Sequence, residues 1–123
     1  MVTRRLQQLS HELTTEILRA RGTVYDLFPA TPLHRLNIDS PCEVWLKRED
    51  LSPIHSYKWR GAYYKMLRSD AKSCAQIVCA SAGNHAQGIA ASSCKLKRPS
   101  VIFMPESVPT IKLQAVKIFG GSY

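Results

Sequence analysis

Two short runs hold the residues best suited to chemistry. The first is Ser56, Tyr57, Lys58, Trp59, Arg60, Gly61 and Ala62; the second is Ser81, Ala82, Gly83, Asn84, His85, Ala86, Gln87 and Gly88. A lysine becomes a nucleophile when its ammonium form is disfavoured, and both the positive end of a helix and a neighbouring cation such as Arg60 act in that direction. The free amine could then condense with an aldehyde. On this run alone the simpler reading of Lys58 is a solvated lysine in a first helical turn, because a helix end contributes only about 0.3–1 kcal/mol. In the second run, small residues let backbone N–H groups converge on a carboxylate or phosphate, and Asn84 adds a directed donor. A tight loop capped by asparagine explains the same residues equally well, since neither Walker nor GxGxxG order is present. His85 invites the role of general base, but a lone histidine beside a glycine loop more often makes structural hydrogen bonds, and Lys58 already offers acid–base chemistry. Lys47, Arg48, Glu49 and Asp50 read as a charged loop.

These runs need elements to position them. Residues 14–27 carry Ile17, Leu18, Tyr25 and Leu27 among polar neighbours in a helical pattern that Gly22 interrupts, with Pro29 and Pro32 beyond its end. Residues 43–47 alternate apolar with polar as a short strand. Ser52 and Pro53 mark a turn, Ser56 is the expected N-cap, and a helix over residues 58–67 has Ala62, Tyr63, Met66 and Leu67 on its apolar side. Residues 77–80 form a compact apolar strand, and residues 85–96 resume helical character. Residues 101–104 form another strand stopped by Pro105, followed by a helix that includes Pro109 near its start, runs to Phe119 and stops at Gly120. Alternating strands and helices predict an α/β layer with a parallel sheet. Gly121, Ser122 and Tyr123 fall where a further strand is expected, so the sheet reads as incomplete.

Composition narrows the classes. Of 123 residues, 45% are hydrophobic and 21% charged, the make-up of a globular chain with room for one modest core. The net charge of +8 raises nucleic-acid binding, but the basic residues are dispersed, and only Lys95, Lys97 and Arg98 form a run; no nucleic-acid partner is expected. Cys42, Cys74, Cys79 and Cys94 lack CxxC spacing and read as reduced packing residues of a cytoplasmic protein, with no metal site. Apolar runs fall far short of a membrane span, and residues 1–20 are too polar for a signal peptide, with Glu12 and Glu16 also weighing against a basic leader.

Together these segments resemble the pyridoxal-phosphate enzymes related to the tryptophan synthase β chain, and within them the threonine dehydratases. The resemblance rests on Ala30, Thr31, Pro32 and Leu33; on Leu46 through Asp50; on His55 through Tyr63; on Ser81 through Gly88; and on Met104, Pro105, Pro109, Lys112, Ala115, Val116, Gly120 and Gly121. It covers residues 16–121 in collinear order. It implies a three-layer parallel-sheet α/β fold, present only in part, with pyridoxal 5'-phosphate as cofactor. Lys58 would hold that cofactor as a Schiff base and move the substrate α-proton, Tyr57 would lie against the cofactor where relatives usually have Phe, and Asn84 would bond its phenolic oxygen. Ser81, Ala82, Gly83, Asn84 and His85 would grip the substrate carboxylate. The implied reaction is loss of the β-hydroxyl from L-threonine, and from L-serine, in amino-acid metabolism of the isoleucine-forming kind. Ala82 stands where serine racemases carry a second serine, which favours elimination over racemisation.

The resemblance also has gaps. Trp59 is bulkier than the usual aliphatic residue, Lys97 and Arg98 stand where relatives commonly turn with Gly, and the stretch ahead of Ile77 lacks a frequent glycine. No glycine-rich run suited to the cofactor phosphate occurs in the sequence. The expectation is that residues 1–51 start the larger domain and residues 52–123 make most of the smaller one. Activity would then require a C-terminal complement or an oligomer, the alternatives being a non-catalytic fragment, a serine racemase-like enzyme or a basic nucleic-acid module.

Overall fold

A computed structural model describes residues 2–69 and 76–121. Cys74 and the stretch ahead of Ile77 therefore lie outside the described residues, as do Ser122 and Tyr123. The chain forms two compact units, residues 1–30 and 31–123.

The first unit is one helix, α1 (Val2–Leu27). It begins well before residue 14, where the sequence pattern places its start, because Leu6, Leu9, Leu13 and Ile17 continue the three- and four-residue spacing through polar neighbours such as Gln7, Gln8 and Glu12. Gln8 donates to Glu12 at 3.0 Å and Arg19 pairs with Glu16 at 2.6 Å, adding one-turn links. Gly22 does not interrupt the helix. An interior glycine costs about 0.5–1 kcal/mol, too little to break a helix this long. The helix ends where Phe28 N–H meets Val24 O at 3.3 Å, just before Pro29.

The second unit opens with an antiparallel pair, β1 (Leu33–Arg35) and β2 (Trp45–Lys47), in register Leu33 to Lys47 and Arg35 to Trp45. β1 is three exposed residues with no apolar alternation, so its pattern carries no strand signal. A single 3-10 turn (Glu49–Leu51) then leads to α2 (Lys58–Arg68), β3 (Ile77–Ala80), α3 (Asn84–Leu96), β4 (Ser100–Phe103) and α4 (Thr110–Ile118). The N-cap of α2 is Tyr57 rather than Ser56. Ser56 stands one place earlier and is fixed by Ser52, whose Oγ donates to Ser56 O and accepts from Ser56 N–H, both at 2.8 Å. Pro109 is the residue before α4 and not within it, which suits a residue without an N–H.

β3 and β4 run parallel, with Ile77 opposite Ser100 and Ala80 opposite Phe103. One face of this pair packs into a core of Ala62, Met66, Ala86, Ile89, Ala90, Ile102 and Val116, contributed by α2, α3, β4 and α4. Cys79 packs against this core, whereas Cys42 and Cys94 are exposed, so only one of the described cysteines is a packing residue; all three are free thiols. The other face carries Val78 and Phe103, each 62% exposed. Parallel strands are normally covered on both faces, so the described part of the sheet has one bare side.

Both α3 and α4 end in the same turn. Lys97 N–H and Arg98 N–H reach back to Cys94 O and Ser93 O, and Gly120 N–H and Gly121 N–H to Lys117 O and Val116 O. The turn needs positive φ; Gly120 adopts 79° and Lys97 adopts 53°, so Lys97 takes the left-handed conformation that glycine more usually supplies.

Candidate active site

Lys58 is the first residue of α2, and its side chain is exposed. The segment before it is tightly tied: Ser56 Oγ accepts from Lys58 N–H at 3.4 Å, and His55 takes a left-handed φ of 54° with its Nδ1 2.7 Å from Asp50 O. The ring of Tyr57 is 59% exposed and lies 5.1 Å from Lys58 Nζ, a cation–π distance. Trp59 points the other way, 2% exposed, so the core does accommodate the bulky side chain.

Arg60 does not stand beside Lys58 as a bare cation. Its Nη2 donates to Glu49 Oε1 and Oε2 at 3.1 and 3.2 Å, and its Nε to Oε2 at 3.3 Å, with both side chains 20% exposed. Thr31 Oγ1 donates to the same carboxylate at 2.6 Å, and Lys47 Nζ donates to Thr31 O. The segment that reads as a charged loop is thus a connected network joining the start of the second unit, β2, the 3-10 turn and the first turn of α2. Periodicity could not reveal it, because its members are eleven and eighteen residues apart. The one local signal is a carboxylate, Glu49, directly after the cations Lys47 and Arg48, which does not point to Arg60.

The second run lies between β3 and α3. Ser81 N–H extends the parallel pairing to Phe103 O at 3.0 Å, and Ser81 Oγ accepts from Gly83 N–H at 3.4 Å. Ala82 and Gly83 are half-buried, and Asn84 begins α3 one residue ahead of the helix read from the sequence. The first helical bond is Gln87 N–H to Gly83 O, so the N–H groups of Asn84, His85 and Ala86 precede the helical ladder and are presented at the helix end. Asn84 and His85 are exposed; His85 lines a cleft between α2 and β3 with Gly61, Lys65 and Cys79.

The two runs meet through Gly88. A Cβ there would stand 3.3 Å from Trp59 Cα and 3.4 Å from both Lys58 C and Ala62 Cβ. Gly88 lies one turn into α3, so the start of α2, with Lys58, packs on α3 about one turn in from Asn84, and each of these two residues stands at the positive end of its own helix. Such a place suits an anionic ligand carrying a group that an amine can attack.

The family described as pyridoxal-phosphate dependent enzyme matches residues 24–122. The chain belongs to that family. Among curated members, the biosynthetic L-threonine dehydratase IlvA of Staphylococcus aureus is 46% identical over 114 residues, covering 89% of this chain and 27% of the relative. The Bacillus subtilis enzyme of the same name is 43% identical over 111 residues, with 87% and 26% covered. Among solved structures, processed threonine deaminase isoform 2 from Solanum lycopersicum superposes with a TM-score of 0.81 at 34% identity, covering 93% of this chain and 34% of that one. Maize serine racemase gives 0.79 at 26% identity, with 85% and 33% covered. The chain thus spans about a quarter of the length of the curated relatives it matches. The fold is the α/β fold of these pyridoxal-phosphate enzymes, present in part.

The residues in hand fit one side of the family's cofactor. Lys58 offers an accessible amine, Tyr57 a ring beside it, and Asn84 an exposed amide at the start of α3.

Proposed function

We propose that this chain supplies the lysine-bearing wall of an enzyme that removes the β-hydroxyl group of L-threonine, and of L-serine, to give 2-oxobutanoate or pyruvate and ammonia. The observation that supports this reading is the packing of the Lys58 turn of α2 on Gly88, one turn into the helix that Asn84 begins. The names of the dehydratase relatives support threonine as the substrate. When bound, pyridoxal phosphate supplies the electron sink for the charge left on the substrate α-carbon. Lys58 Nζ takes the α-proton. The Asn84 amide would hydrogen-bond the ring oxygen of the cofactor, and Tyr57 would lie beside it. Ser81, the backbone of Ala82 and Gly83, and the N–H groups of Asn84 and His85 hold the substrate carboxylate. The β-hydroxyl leaves as water, and hydrolysis of the released enamine consumes one water, so threonine is converted to 2-oxobutanoate plus ammonia. Ala82 brings no hydroxyl to the face opposite Lys58, so no side chain returns a proton there and elimination prevails over racemisation.

The bare face of β3 and β4 favours a conditional form of this reading. In it, the site works only when further polypeptide, a C-terminal complement or a second copy, covers Val78 and Phe103 and closes the cofactor site against water. In the complete enzyme, residues 1–51 begin the larger domain and residues 52–123 make most of the smaller one. We place it in the cytoplasm in a biosynthetic role; none of the described helices is long and apolar enough to cross a membrane.

Adding pyridoxal phosphate to the full chain should produce the visible band of a lysine-bound form, and Lys58→Ala should abolish it. A wild-type chain without the band would reject cofactor binding by this chain alone. Conversion of threonine to 2-oxobutanoate should be near background for the chain alone and rise when a polypeptide carrying the remaining portion of the relatives is added. No rise in the mixture would sink the enzymatic reading.

A further inference from the structure

We propose that Gly88 is a positioning residue that sets the distance between Lys58 and the Asn84 turn; as a statement about cofactor geometry, this rests on the reading above. Gly88 is buried within α3 and closes the contact with α2 at backbone level: an added Cβ would press on Trp59 Cα and Lys58 C, not on the flexible end of a side chain. Trp59 and Ala62 are buried at 2% and 3% exposure, so α2 cannot yield by swinging a side chain aside. The helix must move as a body, by a few tenths of an ångström. The same turn is tethered by the Arg60 to Glu49 bonds, so displacement at Gly88 becomes a tilt of the turn that bears Lys58. Glycine at this place is not needed for backbone freedom, since no positive φ occurs there. Alanine would by propensity favour α3 by about 0.5–1 kcal/mol. What glycine contributes is closeness. It lets the backbone at Lys58 and Trp59 pack directly on α3, one turn in from Asn84.

The experiment compares the wild-type full chain with Gly88→Ala, the double variant Ala62→Gly/Gly88→Ala, and Gly61→Ala, whose added Cβ meets nothing within 4 Å. Amide spectra of the cofactor-free, 15N-labelled proteins should show Lys58, Trp59 and the Trp59 indole shifted in Gly88→Ala, and partly restored in the double variant. Gly61→Ala should leave the α3 amides in place. Changes confined to α3, with Lys58 and Trp59 unmoved, would overturn the proposal. Titration with pyridoxal phosphate should show Gly88→Ala binding about tenfold more weakly while the melting temperature stays near that of wild type. Wild-type affinity in a variant whose Lys58 amide has shifted would equally overturn it. Absence of the band from the wild type would count against the cofactor reading alone, and the amide shifts decide the spacing claim in either case. Should Gly88→Ala fail to fold, the double variant, in which the contacts with Trp59 Cα and Lys58 C remain, should still show a smaller shift of the Lys58 and Trp59 amides, and none there would overturn the proposal.

Discussion

Among the described residues, two other than glycine hold a left-handed backbone, and they call for opposite predictions. Lys97 turns the chain after α3 with its side chain exposed, so Lys97→Gly should relieve about 1–2 kcal/mol of backbone crowding against about 0.5–1 kcal/mol of added chain entropy. The expected net gain of about 0.5–1 kcal/mol is measurable as a raised urea midpoint. His55 has the same φ, but its ring meets Asp50 O; His55→Gly forfeits that bond and should leave the midpoint close to wild type or below it. Nearby, hydrogen bonds from Arg48 hold the Asp50 carboxyl below the usual carboxylate range. A lowered folded value means that the pair contributes above the ordinary carboxylate pKa and is lost as acid carries the pH down through the lowered one. Stability of Asp50→Asn relative to wild type should therefore vary only on the acid side, and by little because the pair is solvent-exposed. Burial pushes the Cys79 thiol up, so iodoacetamide at mildly alkaline pH should label Cys42 and Cys94 before it.

At the scale of elements, the Glu49 network should act as a joint between the 3-10 turn and α2. Glu49→Gln removes the partner of a half-buried guanidinium and should destabilise the second unit by about 2 kcal/mol in urea unfolding, whereas the exposed pair of Arg35 and Glu43 should contribute under about 1 kcal/mol. Gly121 is fixed by space: a Cβ would meet Val116 Cγ1 at 2.6 Å and Ala90 Cβ at 2.9 Å, so Gly121→Ala should cost about 1–3 kcal/mol by pushing the end of α4 off α3. These contacts mark the limit of what the sequence discloses. The strands at 77–80 and 100–103 and the helices around them were legible because short apolar runs alternate with amphipathic ones between glycine and proline stops. The two chemical runs were legible as well, each sitting at a helix start. β1 was not, because three exposed residues are held by pairing alone, and the first half of α1 was masked by its polar composition. The partnership of Arg60 with Glu49 and the seating of α2 on Gly88 join residues far apart in sequence, so no local spacing records them.

For the whole molecule, the sheet matters most. Two parallel strands with one uncovered side are fewer than an independently stable sheet usually has, so the second unit should be held chiefly by the packing of α2, α3 and α4 on each other. Its unfolding should follow the helical signal as a single transition. Val78 and Phe103 also make a mutational record interpretable. If the working form of the protein leaves them in water, a saturation library selected for function should accept lysine or glutamate at both positions as freely as at any surface site. If that form covers them, charge at 78 or 103 should be eliminated from the library as stringently as at Ile102, which is 1% exposed. The tolerance of two side chains would thus report whether the working form covers this face of the sheet, without the covering polypeptide ever being isolated.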